Sequence, residues 1–151
     1  VQEILGEIRR AGARAVLLLN TGISTIEPLQ AAADKLTGEL RIELANVYAG
    51  PRCRSVTKAI EEQPRGGHAD ELETSILLVI AGERIALDKA QTWTPPAMAA
   101  SGPFSRNDPD NPRYSPAGVW GDPTLASKDK GRRLLAAMLD DLLAVVETLQ
   151  C

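Results

Sequence analysis

The spacing of apolar side chains changes along the first third of the chain, and each spacing predicts a different element. Over residues 2–11 the apolar positions recur at helical spacing, which predicts a helix that ends near Gly12. Residues 15–19 form a continuous apolar run bounded by turn residues, which is typical of a buried parallel strand. Residues 40–48 alternate in part between apolar and polar positions and predict a second strand.

Helical spacing predicts four later segments. They are a helix that Gly38 ends, a short helix over 55–62, a buried helix over 69–81 closed by Gly82, and the clearest helix of the chain over 127–149. Ser24 or Thr25 is expected to cap the first of these helices, and Ser127 the last. The alternation of strands and helices predicts an α/β layered fold with a mostly parallel sheet, in a single domain over residues 1–151.

The composition excludes several classes of protein. A net charge of −3 provides no basic field, so no nucleic-acid partner is expected. No apolar run is long enough to span a membrane, and the chain opens without a signal-peptide pattern. Cys53 and Cys151 are too few and too far apart for a disulfide framework, so we expect two reduced thiols and a cytoplasmic protein.

A proline-rich segment over residues 91–121 interrupts the regular pattern. Its six prolines exclude long helices and strands. Such long loops within a domain often serve as lids or interface arms, and a plain disordered loop is the alternative. Four aromatic side chains are spread along it and are expected to dock onto other parts of the protein: Trp93, Phe104, Tyr114 and Trp120.

The richest group of reactive side chains lies in residues 67–75, which hold the only histidine of the chain. Glycines before His68 would let a ligand approach the backbone, and an imidazole there can move protons near neutral pH. In the buried helix His68 and Glu71 are three residues apart and share a face, where they could bind one metal ion or pair so that the carboxylate orients the ring, and Glu73 points elsewhere. A hydrogen-bonded core or capping histidine, with carboxylates that complement the helix dipole, is the structural alternative.

Short polar residues follow the first predicted strand. Ligands of open α/β sheets bind beyond the carboxyl ends of the strands. Candidate contacts for a small polar substrate are therefore Asn20, Thr21, Gly22 and Ser24, together with Gly67. Helix capping by Ser24 is the structural alternative.

Three segments, taken in order, resemble the creatininase family of metal-dependent amidohydrolases. The first is the strand over 15–19 with the Asn20 loop. The second, 67–75, is similar to the family pattern G-H-A-G-x-x-E-T-S, and the third, 115–127, resembles S-G-V-x-G-D-P-T-x-A before the last helix of the family. Together these segments span almost the whole chain.

The resemblance implies a three-layer α/β/α sandwich that assembles into a homo-oligomer. It implies hydrolysis of a cyclic amide or formamide C–N bond by water that a divalent metal (zinc, manganese or iron) activates. His68 is then the residue that gives or takes the proton, Glu71 lies at the metal, and Glu73 supports these groups. The implied partner is a small-molecule substrate.

The chain departs from the family pattern where the metal binds. Gly22 stands at the position of the metal-binding histidine in the family pattern N-G-H-x-x-N. Other family ligands come from an upstream E-x-H and an Asp, and we expect the chain to begin downstream of them, without the N-terminal strands. Two hypotheses follow: a creatininase-like hydrolase, and a degenerate family member that serves as a binding or oligomeric scaffold without turnover or metal.

Overall fold

The computed structural model describes the chain except for two short stretches and the last residue. The described residues are 1–96, 105 and 107–150, with the backbone alone at residue 150. Predictions that rest on Phe104 and Cys151 therefore lie outside the described residues. The described chain divides into two compact units, Val1–Ser55 with the chain from Ala137 onward, and Val56–Ala136. A single domain over 1–151 stays a prediction.

The first unit is built around a pair of parallel strands. Its regular elements are α1 (Gln2–Arg10), β1 (Ala15–Asn20), α2 (Ile26–Asp34) and β2 (Arg41–Asn46). Six residue pairs join the strands, from Ala15 opposite Arg41 to Asn20 opposite Asn46. Gly12 makes the turn after α1 with a φ of 92°, a conformation that glycine adopts without strain. The predicted α/β class with a parallel sheet is confirmed.

The core of this unit lies where both helices pack on the strands. Leu5 of α1 is 1% exposed and clusters with Ala32 and Leu40. Partly buried side chains from the strands and from the turn after α2 complete the cluster: Val16, Leu18, Leu36 and Ile42. This burial is the main stabilising term for a strand pair that would be marginal by itself in water.

Of the two predicted cap residues of α2, Thr25 does occupy the N-cap position, but its side chain makes no capping hydrogen bond. A 3-10 turn over Ile23–Thr25 precedes the helix, and no side chain caps either element. The Thr25 hydroxyl instead donates to the carbonyl of Gly22 at 2.8 Å. Because Thr25 already has helical backbone angles, its side chain serves the preceding loop rather than the helix.

Helix α3 (Pro51–Ile60) begins four residues before the predicted start. The carboxylate of Asp141, on α5 (Lys128–Gln150), accepts the N–H groups of Arg52 at 3.2 Å and Cys53 at 2.8 Å. A Cβ at Gly50 would lie 2.0 Å from Asp141 Oδ2, so only glycine fits before the helix. The helix thus starts where a residue distant in sequence supplies its cap.

In the second unit, helix α4 (Glu71–Ile80) starts two residues later than predicted. Asp70 is its N-cap and accepts the N–H groups of Leu72 at 2.9 Å and Glu73 at 3.0 Å. The predicted cap of α5 is confirmed, because Ser127 Oγ accepts the N–H of Lys130 at 3.2 Å.

Short 3-10 turns and isolated bridges make up the rest of this unit. The turns cover Gly82–Arg84, Leu87–Lys89 and Pro123–Leu125, and the bridges pair His68 with Trp120, Trp93 with Gly121, and Ser105 with Tyr114. In the described part of residues 91–121, no α-helix or named strand forms, as the prolines predict.

Across the described residues, the structure contains no helix with both the length and the apolar character that a membrane span requires.

Candidate functional site

The backbone of His68 is held by an antiparallel bridge to Trp120. The N–H of Trp120 donates to the carbonyl of His68 at 2.8 Å, and the N–H of His68 donates back to Trp120 O at 3.2 Å. Gly67 donates to the same carbonyl at 3.1 Å. A Cβ at Gly67 would lie 3.3 Å from Cε3 of the Trp120 ring, so the glycine lets the indole pack against the loop.

The imidazole of His68 is open to solvent and faces one carboxylate. Its side chain is 58% exposed, and Nδ1 lies 3.7 Å from Oε2 of Glu73, which is ion-pair distance. The same Oε2 accepts the N–H of Ala69 at 2.6 Å, and Ala69 has a positive φ of 47°. Glu73 therefore both fixes this strained turn and stands beside the imidazole.

The expected sharing of a helix face by His68 and Glu71 is wrong. Asp70 caps the helix, so His68 lies outside it, in the loop, and the i, i+3 relation does not apply. Glu73, which was expected to point elsewhere, is the carboxylate that faces the ring.

Glu71 is fully buried, and three groups occupy its carboxylate. Oε2 accepts the N–H groups of Glu62 at 2.9 Å and Gln63 at 2.8 Å, and Oε1 accepts from Lys130 Nζ. Burial disfavours the charged ammonium, but the hydrogen bonds and charges of Glu62 and Glu71 outweigh it and raise the pKa of Lys130 above its ordinary value. The side chain therefore sits in a satisfied ion pair.

The described residues do not fit a metal by themselves. They contain no group of three His, Cys, Asp or Glu side chains that could hold one. The Lys130 ammonium already supplies the positive charge at Glu71. A catalytic metal typically needs three protein ligands, so a metal site here requires ligands from outside these residues. The metal role of Glu71 stays a prediction.

The predicted contacts after β1 form a compact loop of their own. Asn20 is 2% exposed, and its amide donates to Gly22 O at 2.9 Å while Oδ1 accepts from the Gly22 N–H and the Thr25 hydroxyl. Thr21 and Ser24 are exposed. Asn20 thus shapes the loop, whereas the exposed Thr21 and Ser24 side chains face solvent. These residues belong to the first unit, and His68, Gly67 and Glu73 to the second.

The sequence does not identify three residues that surround His68 and Glu71. Gln63 is 5% exposed, yet it follows two glutamates in a run typical of a solvated surface. Lys130 lies just beyond the third family-like segment, and Trp120 lies within that segment and was expected only to dock as a loop aromatic. Their partners are separated by 52 to 59 residues, and no local pattern encodes such contacts.

The protein has an α/β fold with a histidine just before helix α4. Comparisons with known proteins identify the family. The family model of creatininase, or creatinine amidohydrolase, matches residues 1–146. The chain belongs to the creatininase family. A mycofactocin precursor peptide peptidase of Mycobacterium ulcerans (strain Agy99) is 38% identical over 77 residues, which is 51% of this chain and 30% of that protein.

Solved creatininase structures share the fold. A mutant creatininase complexed with creatine matches 97% of this chain with a TM-score of 0.72 and 21% identity. A Zn-Zn type mutant and a Mn form each match 98% with a TM-score of 0.70 and 22% identity. The chain spans 61%, 61% and 62% of these three structures. The predicted creatininase-like fold is confirmed.

Proposed function

We propose that this chain takes part in hydrolysis of a cyclic amide or formamide C–N bond, with His68 as the acid–base residue. The observation that carries the proposal is the exposed imidazole, held at its backbone by Trp120 and faced by Glu73. A carboxylate beside Nδ1 favours the tautomer with its proton on that atom, which leaves Nε2 to exchange protons with a substrate.

The proposed reaction adds water across the C–N bond. The water oxygen bonds to the carbonyl carbon, the C–N bond breaks, and the nitrogen leaves with a proton. His68 takes the proton of the attacking water and delivers it to the departing nitrogen, so protons balance over the cycle. We assign no step to a metal, because the described donor residues do not form its site.

The other predicted roles belong to the same proposal. Glu71 is proposed to lie near the metal, and Glu73 is proposed to support His68. Substrate contacts are proposed in the loop after β1 and at the glycine before the histidine: Asn20, Thr21, Gly22, Ser24 and Gly67. The ion pair with Lys130 favours a structural part for Glu71. A divalent cofactor, a small-molecule substrate, a homo-oligomer and a cytoplasmic location complete the proposal.

The test compares the wild-type chain with His68→Gln on a panel of cyclic ureides and N-formyl amines, with and without added zinc or manganese. We expect the variant to lose at least about 100-fold in rate, the size of a general acid–base contribution. Arg65→Ala, an exposed position on the same loop, is the matched control and should stay within twofold of wild type. A folded His68→Gln chain with full activity would reject the assignment.

A second candidate function is a scaffold that binds a small molecule or partner without turnover. Gly22 in place of the family histidine and the lack of a three-ligand group in the described residues favour it. Metal analysis of the purified protein separates the two candidates. Stoichiometric zinc or manganese supports the hydrolase, and a folded, metal-free, inactive protein supports the scaffold.

A further inference from the structure

The side chain of Gln63 uses every hydrogen-bonding position that an amide offers. Oε1 accepts the N–H of Asp122 at 2.9 Å and that of Glu71 at 3.3 Å. Nε2 donates to Glu61 Oε1 at 2.8 Å and Asp70 Oδ2 at 3.0 Å. Two acceptor and two donor positions are thus filled in a side chain that is 5% exposed.

Two of these partners follow the backbone bridge between His68 and Trp120, one on each of its two segments. Asp70 follows His68 by two residues, and Asp122 follows Trp120 by two residues. The amide therefore joins both segments of the bridge just beyond the paired residues. Because Glu71 N also donates to it, the same amide is tied to the first residue of α4.

Two glycines leave the space that the amide fills. A Cβ at Gly66 would lie 2.0 Å from Gln63 Nε2, and a Cβ at Gly121 would lie 2.5 Å from Oε1. Gly121 also has a φ of 132°, which other residues rarely adopt. Both segments thus close on the amide at a distance that no side chain at these glycines would allow.

We propose that Gln63 is a positioning residue that fixes His68 by clamping the two segments of its bridge. A role of Gln63 in catalysis rests on the proposed function. Its role in holding the two segments together rests only on the hydrogen bonds described above. No other amide side chain among the described residues bridges these segments. Gln63 acts through Asp70 and Asp122 and does not touch the imidazole in this arrangement.

The test measures amide hydrogen exchange by NMR in Gln63→Met, which keeps the side-chain length and removes the four hydrogen bonds. We expect the Trp120 and Asp122 amides to exchange at least tenfold faster, while amides in the middle of α5 change less than threefold. The His68 ring signals, the only ones of their kind in the chain, should shift as well. Gln30→Met, at an exposed position of α2, is the matched control and should change neither the amide exchange rates nor the His68 signals.

A folded Gln63→Met chain with unchanged Trp120 and Asp122 amides would overturn the proposal, as would a uniform acceleration across α5. If the variant does not fold, hydrogen exchange in the wild-type chain tests the proposal instead. Its Asp122 and Glu71 amides should exchange at least tenfold slower than unstructured amides, and exchange at the unstructured rate contradicts the clamp. None of these measurements needs a substrate. If the chain hydrolyses nothing, the proposed function fails, but the proposal that Gln63 holds His68 in place can still be tested.

Discussion

Glu71 is 0% exposed, and both oxygens of its carboxylate have hydrogen-bond partners. Lys130 is 12% exposed at its side chain and also donates to the carbonyl of Leu125 at 3.0 Å. Removing one member of a buried ion pair leaves the other charge desolvated and uncompensated, which costs more than the pair contributes. The two residues are therefore expected to depend strongly on each other.

We predict that Lys130→Met lowers the free energy of unfolding by about 3 kcal/mol, because it strands the buried carboxylate. Urea denaturation at pH 7 measures the loss. Lys128→Met, an exposed position on the same helix, is the control and should stay within about 0.5 kcal/mol of wild type. Adding Glu71→Gln to Lys130→Met should recover part of the loss, and a fully additive double variant would contradict the pairing.

At the scale of elements, a capping residue that is distant in sequence sets the start of α3. Asp141 caps α3 from 88 residues away. Burial alone would raise the pKa of Asp141, but the N–H groups of Cys53 and Arg52 and the Arg52 guanidinium lower it below its usual value. A lowered folded-state pKa means that the carboxylate stabilises the fold above its unfolded pKa of about 3.9, and that this stability is lost as pH falls through the folded value.

We predict that Asp141→Asn lowers the free energy of unfolding at pH 7 by about 1 to 2 kcal/mol, because the two carboxylate oxygens each accept one N–H group and an amide can replace only one of them. The gap between wild type and variant should close as the pH falls below about 4, because the wild-type carboxylate becomes protonated. Urea unfolding at several pH values measures both effects. The exposed neighbour Asp140→Asn serves as the control, and a gap that persists unchanged at low pH would disprove the capping role.

The local pattern was enough to predict which elements form, but not where several of them begin. The apolar run of β1 and the wide apolar face of α5 lie within single segments, so the strand and the helix form as predicted, although the apolar residues of β1 are only partly buried. The starts of α3 and α4 depend on Asp141 and Asp70, and only the second is adjacent in sequence. At the site, His68 was found because it is unique, whereas Gln63 and Lys130 act through partners that folding brings near.

At the scale of the whole molecule, large apolar side chains remain uncovered in both units. Examples are Ile4 at 63%, Ile23 at 75% and Ile80 at 63% exposure. Single exposed apolar residues are ordinary, but an assembly of several copies would cover such positions. This supports the proposed homo-oligomer.

We predict that the purified chain has a solution mass of at least twice the 16.2 kDa of one chain. Light scattering coupled to size-exclusion chromatography measures it. Ile80→Lys should shift the mass toward the monomer if the end of α4 is a contact, whereas Glu83→Lys, at a position already charged and exposed, should leave the mass unchanged. A wild-type mass of one chain at micromolar concentration would rule out the assembly.

The bridge between Trp93 and Gly121 has a practical consequence for optical work. The chain contains two tryptophans, and both form backbone bridges in this region. Trp93 pairs with Gly121, and Trp120 pairs with His68. Ultraviolet emission excited at wavelengths that tyrosine does not absorb therefore originates entirely in this neighbourhood. Without any attached dye, a spectrofluorimeter thus reports events near the imidazole rather than an average over the protein.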